Sequence, residues 1–266
     1  MKRLLSSLSL VSVLLFGVLV ASPTPADAAV MPLSSVTPGS LVKGVSLPAV
    51  SYYGVDGFRY VFPNSATYFT WYDNFSSVVT ISDADLSSIQ IGGNVTYRPG
   101  VRMIKINTAP KTYAVGSGGA LHWVTSEEVA IALYGADWNK KIDDVPDAFF
   151  GNYYVSTDIT SGSQFSPSSA TSSATNIGSD RGLMAPKDVV VSSQGFAPDL
   201  ITVSAGQGVR WTNNDTVNHT ATSDNLDWGS GTIAPGINFI RRFKQPGTYT
   251  YFDSYHSQFT GTVIVQ

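Results

Sequence analysis

The side chains best suited to metal chemistry lie near the C-terminus of this 266-residue chain. The sequence has three histidines, and two of them, His219 and His256, fall in this region, with Asp253 shortly before the second. Imidazole nitrogens and carboxylate oxygens are both ligands for Cu(II) and Zn(II). There is no cysteine, so a thiolate ligand and a disulfide bond are both excluded. A metal site in this region would therefore be built from nitrogen and oxygen donors.

Several short motifs surround these residues in an order that is typical of a known fold. They occupy positions 196–198, 201–203, 206–211, 213–215, 219–222, 229–236, 247–251 and 261–265. In their order and spacing they resemble the cupredoxin family, near its small plastocyanin- and amicyanin-like members. The resemblance covers residues 186–266 and implies a Greek-key β-sandwich. The short strands and frequent turn residues of this segment favour the same fold.

The resemblance implies metal ligands at His219 and His256 and places Asp253 where the family has cysteine. Phe259 stands where the family has the axial methionine. Aspartate has a reach from the backbone close to that of cysteine, so it can occupy the third ligand position. The resulting two-histidine, one-carboxylate set suits Cu²⁺ or Zn²⁺ better than Cu(I). Phe259 cannot coordinate a metal, and we expect it to shield the axial side.

Three functions are compatible with this site. The first is copper binding, for electron transfer or for holding copper at the cell surface. The alternative is a non-redox adhesion or structural module with a zinc-loaded or empty site, in which Asp253 is an ordinary polar residue. An oxidase-like activity is a third option, because an open site of this type can activate dioxygen. No acid–base constellation accompanies the site, so we do not predict an enzyme.

The N-terminus has the features of an export signal. Lys2 and Arg3 precede a mostly apolar stretch, and Ala26-Asp27-Ala28 fits a cleavage site. We expect a signal peptide at 1–28, cleaved near Ala28, and a secreted, periplasmic or cell-surface protein without a transmembrane segment after cleavage. A net charge of −3 does not favour nucleic-acid binding. The expected partner is a redox protein or a component of the cell envelope.

The rest of the chain divides by composition. Residues 40–157 contain two similar segments, each with a hairpin signal followed by a helix start, which predicts a small aromatic-rich α+β domain of two tandem repeats. The helices are expected at 63–72 and 129–134. Residues 158–185 are rich in Ser, Thr and Gly and predict a flexible linker, and 186–266 form the cupredoxin-like domain. The chain as a whole is predicted to be mainly β.

The aromatic residues of the repeat domain have two interpretations. They could form an exposed sugar- or wall-binding face, or they could supply the core of a small domain without disulfides, and we favour the core. The residues concerned are Trp71, Tyr72, Trp123, Tyr134 and Trp138. The third histidine, His122, adjoins one of them and is expected to be a packed or hydrogen-bonded residue.

Overall fold

A computed structural model describes residues 29–266, so the predicted signal peptide at 1–28 lies outside the described residues. The described part is mainly β and contains two five-stranded and two four-stranded sheets. This confirms the predicted fold class. Within residues 29–266, no helix has the length and hydrophobicity needed to cross a membrane.

The first five-stranded sheet has the strand order β4-β1-β2-β3-β5. Its strands and helices are β1 (Leu41–Gly44), β2 (Ser51–Tyr53), β3 (Arg59–Val61), α1 (Ser65–Tyr68), β4 (Val78–Ile81), α2 (Asp83–Ser88) and β5 (Ile91–Asn94). Strands β1, β2 and β3 pair antiparallel, and β4 and β5 add in parallel at the two edges. The β2–β3 hairpin turns at Gly57, which has φ 82°, as its Asp-Gly signal predicted.

The second sheet repeats this arrangement with the order β10-β8-β7-β6-β9. Its elements are β6 (Met103–Lys105), β7 (Tyr113–Val115), β8 (Ala120–Trp123), α3 (Glu127–Tyr134), β9 (Ile142–Asp144), α4 (Asp147–Phe150) and β10 (Tyr154–Val155). Strands β6, β7 and β8 pair antiparallel, and β9 and β10 add in parallel at the two edges, as β4 and β5 do in the first sheet. The two sheets therefore share one topology, and the sequence repeat stays our interpretation of that likeness.

The two helices that follow the hairpins differ in length. Helix α3 ends at Tyr134, as predicted, and is followed by Gly135 with φ 83°. It begins at Glu127, two residues before the predicted start, after Ser126, whose hydroxyl accepts a hydrogen bond from the Val129 N–H. The prediction of a helix over 63–72 is wrong, because α1 ends at Tyr68. The residues after it turn inward instead, and Trp71 donates its indole N–H to the Thr96 carbonyl at 2.8 Å. Aromatic residues have modest helix propensity, so tertiary packing overrides it here.

The predicted aromatic residues divide among separate hydrophobic cores. Trp71 and Tyr72 pack against the core of the first sheet, whereas Trp123 packs in one cluster of the second sheet and Tyr134 and Trp138 in another. They therefore do not form one continuous face. His122 is hydrogen-bonded, as predicted, through its Nδ1, 2.8 Å from the Thr157 carbonyl oxygen.

The C-terminal domain is a sandwich of two four-stranded sheets after helices α5 (Pro167–Ser173) and α6 (Ile177–Asp180). The first sheet has the order β12-β11-β14-β16 and the second the order β13-β18-β17-β15. Their strands are β11 (Lys187–Ser192), β12 (Gly195–Ala197), β13 (Leu200–Val203), β14 (Gly208–Asn213), β15 (Thr222–Ser223), β16 (Asn238–Arg242), β17 (Gly247–Phe252) and β18 (Thr260–Val265). Fully buried Trp211 lies between the sheets, with the Tyr251 ring edge-on at 5.3 Å.

The segment 158–185 is not the flexible linker that its composition predicted. Ile159, Ala174 and Ile177 are buried, and Ile177 is completely enclosed in the core of the first five-stranded sheet. Arg181 donates to the Asn94 carbonyl at 3.0 Å, and Asp180 accepts from the Gly118 N–H at 3.0 Å. Serine and asparagine caps start both helices. A few buried apolar side chains and well-placed caps thus order a segment whose overall composition is polar.

The sandwich also packs directly against the first sheet. Ile240 of β16 is buried in that sheet's core, and its backbone N–H and C=O both bond to the Gln90 side chain, at 2.7 and 3.1 Å. Arg242 forms an ion pair with Asp56 and lies over the Phe58 ring. Apolar, polar and ionic contacts therefore join the two domains directly.

We predict that Ile177→Ala lowers the free energy of unfolding by about 2–5 kcal/mol, the usual cost of truncating a buried aliphatic side chain. Urea denaturation followed by fluorescence measures this change. The matched control is Ile91→Ala, since Ile91 is 61% exposed, and it should cost much less. Equal effects of the two substitutions would contradict the packed role of this segment.

Candidate metal centre

The first histidine is held by backbone pairing. His219 forms an antiparallel bridge with Ile233, through N–H to carbonyl bonds of 3.2 and 2.8 Å. The Asn213 side-chain amide, at the end of β14, donates to the carbonyls of Val217 and Ile233, at 2.7 and 2.8 Å. Because both flanking segments are tied together, the His219 backbone has little freedom to shift.

The other two candidate ligands share one short loop between β17 and β18. The Asp253 N–H donates to the Phe259 carbonyl at 3.0 Å, and the Phe259 N–H donates to the His256 carbonyl at 2.8 Å. A third bond runs from the His256 N–H to the Asp253 carbonyl, at 3.2 Å. These bonds form a compact turn that brings the side chains of the loop to the end of the sandwich where His219 lies.

The three side chains predicted to bind metal converge on one point. Asp253 Oδ2 lies 2.7 Å from His219 Nδ1 and 2.9 Å from His256 Nδ1. One potential ligand atom of each residue lies within 4.8 Å of the others. His219 and Asp253 are fully buried, whereas the His256 side chain is 33% exposed. Solvent therefore reaches this cluster from the His256 side.

The second carboxylate oxygen of Asp253 is fixed by the backbone. Oδ1 accepts hydrogen bonds from the N–H groups of Thr220 and Tyr255, at 2.8 and 3.1 Å. Burial is the largest single influence on this carboxyl and raises its pKa. The hydrogen bonds from both histidines and both amides together outweigh burial, so the pKa of Asp253 lies below its ordinary value. Asp253 is consequently an oriented carboxylate anion at neutral pH.

The donor set fits a divalent ion. Tetrahedral ligand atoms about 2.0–2.2 Å from a metal lie roughly 3.4 Å apart. The His–Asp distances of 2.7 and 2.9 Å are shorter, as expected when hydrogen bonds join the groups. An ion would require both imidazole rings to move slightly away from Asp253 Oδ2, and the partly exposed His256 ring has more room to do so than the buried His219 ring. These three residues would then hold Cu²⁺ or Zn²⁺ through two nitrogens and an oxygen.

Phe259 borders the cluster without offering a ligand atom. Its ring stacks beside His256 with the centroids 5.4 Å apart, and its centroid lies 6.3 Å from that of His219. Gly195 lies directly against the ring, where an added Cβ would lie 3.3 Å from Phe259 Cδ1. The aromatic ring therefore occupies a tight apolar position against both histidines.

Comparison with known proteins agrees with this architecture. The family described as "cupredoxin-like domain" matches residues 171–265. The C-terminal domain is cupredoxin-like. The cupredoxin-like domain thus carries the predicted cluster at one end of its sandwich.

Three solved structures illustrate the likeness, each matching 30% of this chain with a TM-score of 0.29. A purple cupredoxin from Nitrosopumilus maritimus is 23% identical, with 99% of its chain covered. Amicyanin from Paracoccus versutus is 22% identical, with 81% covered. A copper-containing nitrite reductase from Thermus scotoductus is 21% identical, with 22% covered.

Asp215 is a further residue of the cupredoxin-like domain's cluster, and sequence reasoning assigned it no role. Its Oδ2 lies 3.3 Å from His219 Nε2. The backbone N–H of Thr216 is the main cause of its lowered pKa, to which His219 also contributes. A carboxylate here accepts a hydrogen bond from Nε2–H, and when Nδ1 binds a metal this bond would fix the tautomer and the orientation of the ring. Asp215 and His219 lie four residues apart in a loop. No helical periodicity in the sequence therefore indicated that their side chains meet.

We predict that Asp215→Asn weakens Cu²⁺ and Zn²⁺ binding by about 10- to 100-fold, since residues that orient a metal-binding histidine have effects of this size. Competition with a chromophoric chelator measures the affinity. Asp224→Asn, an exposed residue of the same domain, is the control and should leave the affinity unchanged. If both variants bind metal like the unmodified protein, Asp215 does not position His219.

Proposed function

We propose that this protein is an exported copper-binding protein whose cupredoxin-like domain holds Cu²⁺ between His219, Asp253 and His256. One observation carries the proposal: two imidazole nitrogens lie within 3 Å of one buried carboxylate oxygen. The cluster therefore offers two nitrogen atoms and one oxygen atom that a single metal ion could bind, whereas an ordinary polar loop residue would be exposed to solvent. The proposed role is electron transfer or copper binding at the cell surface.

The ligand types of this site favour copper over zinc. Nitrogen and oxygen sites bind Cu²⁺ more tightly than Zn²⁺ when both ions are available. The carboxylate is a hard ligand, which stabilises Cu(II) relative to Cu(I) and lowers the reduction potential below that of a thiolate site. The partner in electron transfer would be a redox protein that approaches the exposed edge of His256.

A second candidate function rests on the hydrogen bonds within the same cluster. His219, His256 and the backbone amides satisfy both oxygens of Asp253 without a metal. The cluster is therefore a complete structural element by itself. In this alternative the domain is a non-redox adhesion module whose site is empty or holds zinc.

Metal titration separates the two functions. We expect the purified full chain to take up one equivalent of Cu²⁺ with an axial EPR signal, a pale colour and a reversible Cu(II)/Cu(I) couple. His256→Ala should lose this signal. His122→Ala is the matched control, because that histidine bonds to Thr157 in the other domain, and it should retain the signal. Failure of the unmodified protein to bind copper, or preferential retention of zinc, would favour the structural module.

A further inference from the structure

Two cavities occupy equivalent places in the two five-stranded sheets. The first lies between the β1–β2 connection and the start of α1, and the second lies between the β6–β7 connection and the start of α3. Their volumes are about 320 and 300 Å³, at the small end of ligand-binding pockets. Pro48 lines the first and Pro110 the second, at matching positions of the shared topology. The same kind of cavity thus occurs twice in one chain.

Each cavity combines aromatic rings with small polar groups. Phe75 lines the first cavity with its ring stacked on Tyr68 at 4.4 Å, and 51% of its surface is exposed. Trp123 and Trp138 line the second cavity. Asn64 and Ser65 border the first, and Thr125 and Ser126 border the second. These surfaces suit a ligand with an apolar face and a hydroxyl-bearing edge.

The charges of the two cavities point to an uncharged ligand. No charged residue lines the first cavity. The second has one cation, Lys111, and one anion, Glu127. The Lys111 ammonium lies 4.1 Å from the centre of the Trp123 ring, so a cation–π contact already occupies it. Neither cavity therefore has the excess positive charge that a nucleic acid or another polyanion would require.

We propose that the two cavities are a pair of binding sites for a neutral polysaccharide. A sugar ring presents C–H groups on its face, which pack on aromatic rings, and hydroxyl groups on its edge, which bond to the polar rim. A polymer of sugar units can also fill two like sites at once, and linked binding of this kind raises the affinity above that of either site. This inference is independent of the proposed metal function.

Binding measurements on the full chain test this proposal. Chitin and cellulose serve as insoluble probes, and their soluble tetramers serve for calorimetry. We expect one or both polysaccharides to retain the protein, and the matching tetramer to bind with a stoichiometry of two. Phe75→Ala and Trp138→Ala should each reduce the stoichiometry to one and weaken retention tenfold or more, and the double variant should not bind.

The control is Tyr154→Ala, which removes a 57% exposed aromatic side chain that lines neither cavity and should leave binding unchanged. If truncating a ring disturbs folding, Ala49→Arg and Pro110→Arg fill the two cavity mouths without removing a ring and should act in the same way. The absence of binding to either polysaccharide would overturn the proposal. Retention of the Ala49→Arg, Pro110→Arg double variant on the polysaccharide would also overturn it. A protein that binds a proline-rich peptide and neither polysaccharide would overturn it as well. Copper uptake should be the same in all these variants.

Discussion

Asp253→Cys will convert the copper-loaded protein from pale to intensely coloured. The substitution places a thiolate between two imidazoles, and a His₂Cys site of this kind gives the strong colour of blue-copper proteins. The position is suitable because Asp253 Oδ2 already lies 2.7 and 2.9 Å from the two Nδ1 atoms. The N–H groups of Thr220 and Tyr255, which now bond to Asp253 Oδ1, would donate to the sulfur. Visible absorption during Cu²⁺ titration measures the change.

The reduction potential should rise in the same variant, because a soft thiolate stabilises Cu(I) relative to a carboxylate. Asp224→Cys is the matched control: it adds one cysteine to the same domain at an exposed position and should remain pale. An Asp253→Cys variant that binds one copper and stays colourless would show that position 253 is not a ligand. Phe259 has no donor atom, so the coloured site would lack an axial thioether.

The parts of this structure that sequence reasoning predicted are those encoded locally. The motif at 201–203 lies in strand β13, at Leu200–Val203, because alternation and turn residues mark a short strand locally. The candidate ligands were also predictable, since each follows a recognisable motif. The clustering of His219 with Asp253 depended on the resemblance, because it joins residues that are distant in sequence.

The parts that sequence reasoning missed depend on tertiary contacts. Ile177 is one of the few aliphatic residues in a polar segment, and it is buried in the core of the first sheet. Gln90 bonds to both backbone groups of Ile240 across a domain boundary, and no local pattern encodes such a pair. Asp215 is one of several polar loop residues until the fold brings it to His219 Nε2. In each case the residue type is ordinary and its distant partner determines its role.

Asp253→Ala will strongly destabilise the metal-free protein as well as abolish metal binding. Asp253 is fully buried, and it accepts hydrogen bonds from His219, His256 and the N–H groups of Thr220 and Tyr255. Removing one partner from a buried, charged network costs about 3–5 kcal/mol. Urea denaturation in the presence of a chelator measures the change in the free energy of unfolding.

His256→Ala should cost less, about 1–2 kcal/mol, because its side chain is 33% exposed and water replaces its single bond to Asp253. The two variants therefore separate the structural role of the cluster from its metal binding, since both lose the metal but only one loses the buried anion. Equal destabilisation by both would contradict this division.

The difference in stability between the unmodified protein and Asp253→Ala should depend on pH, in the direction given by the pKa shift of Asp253. The pKa of Asp253 in the folded protein lies below its ordinary value, so the folded state favours the carboxylate more than the unfolded chain does. The resulting stabilisation is present above the ordinary aspartate pKa of about 3.9 and is lost as the pH falls through the lower pKa of the folded state. The stability of the unmodified protein should therefore approach that of Asp253→Ala in acid. A gap that instead widens below pH of about 4 would mean that Asp253 is held protonated rather than ionised.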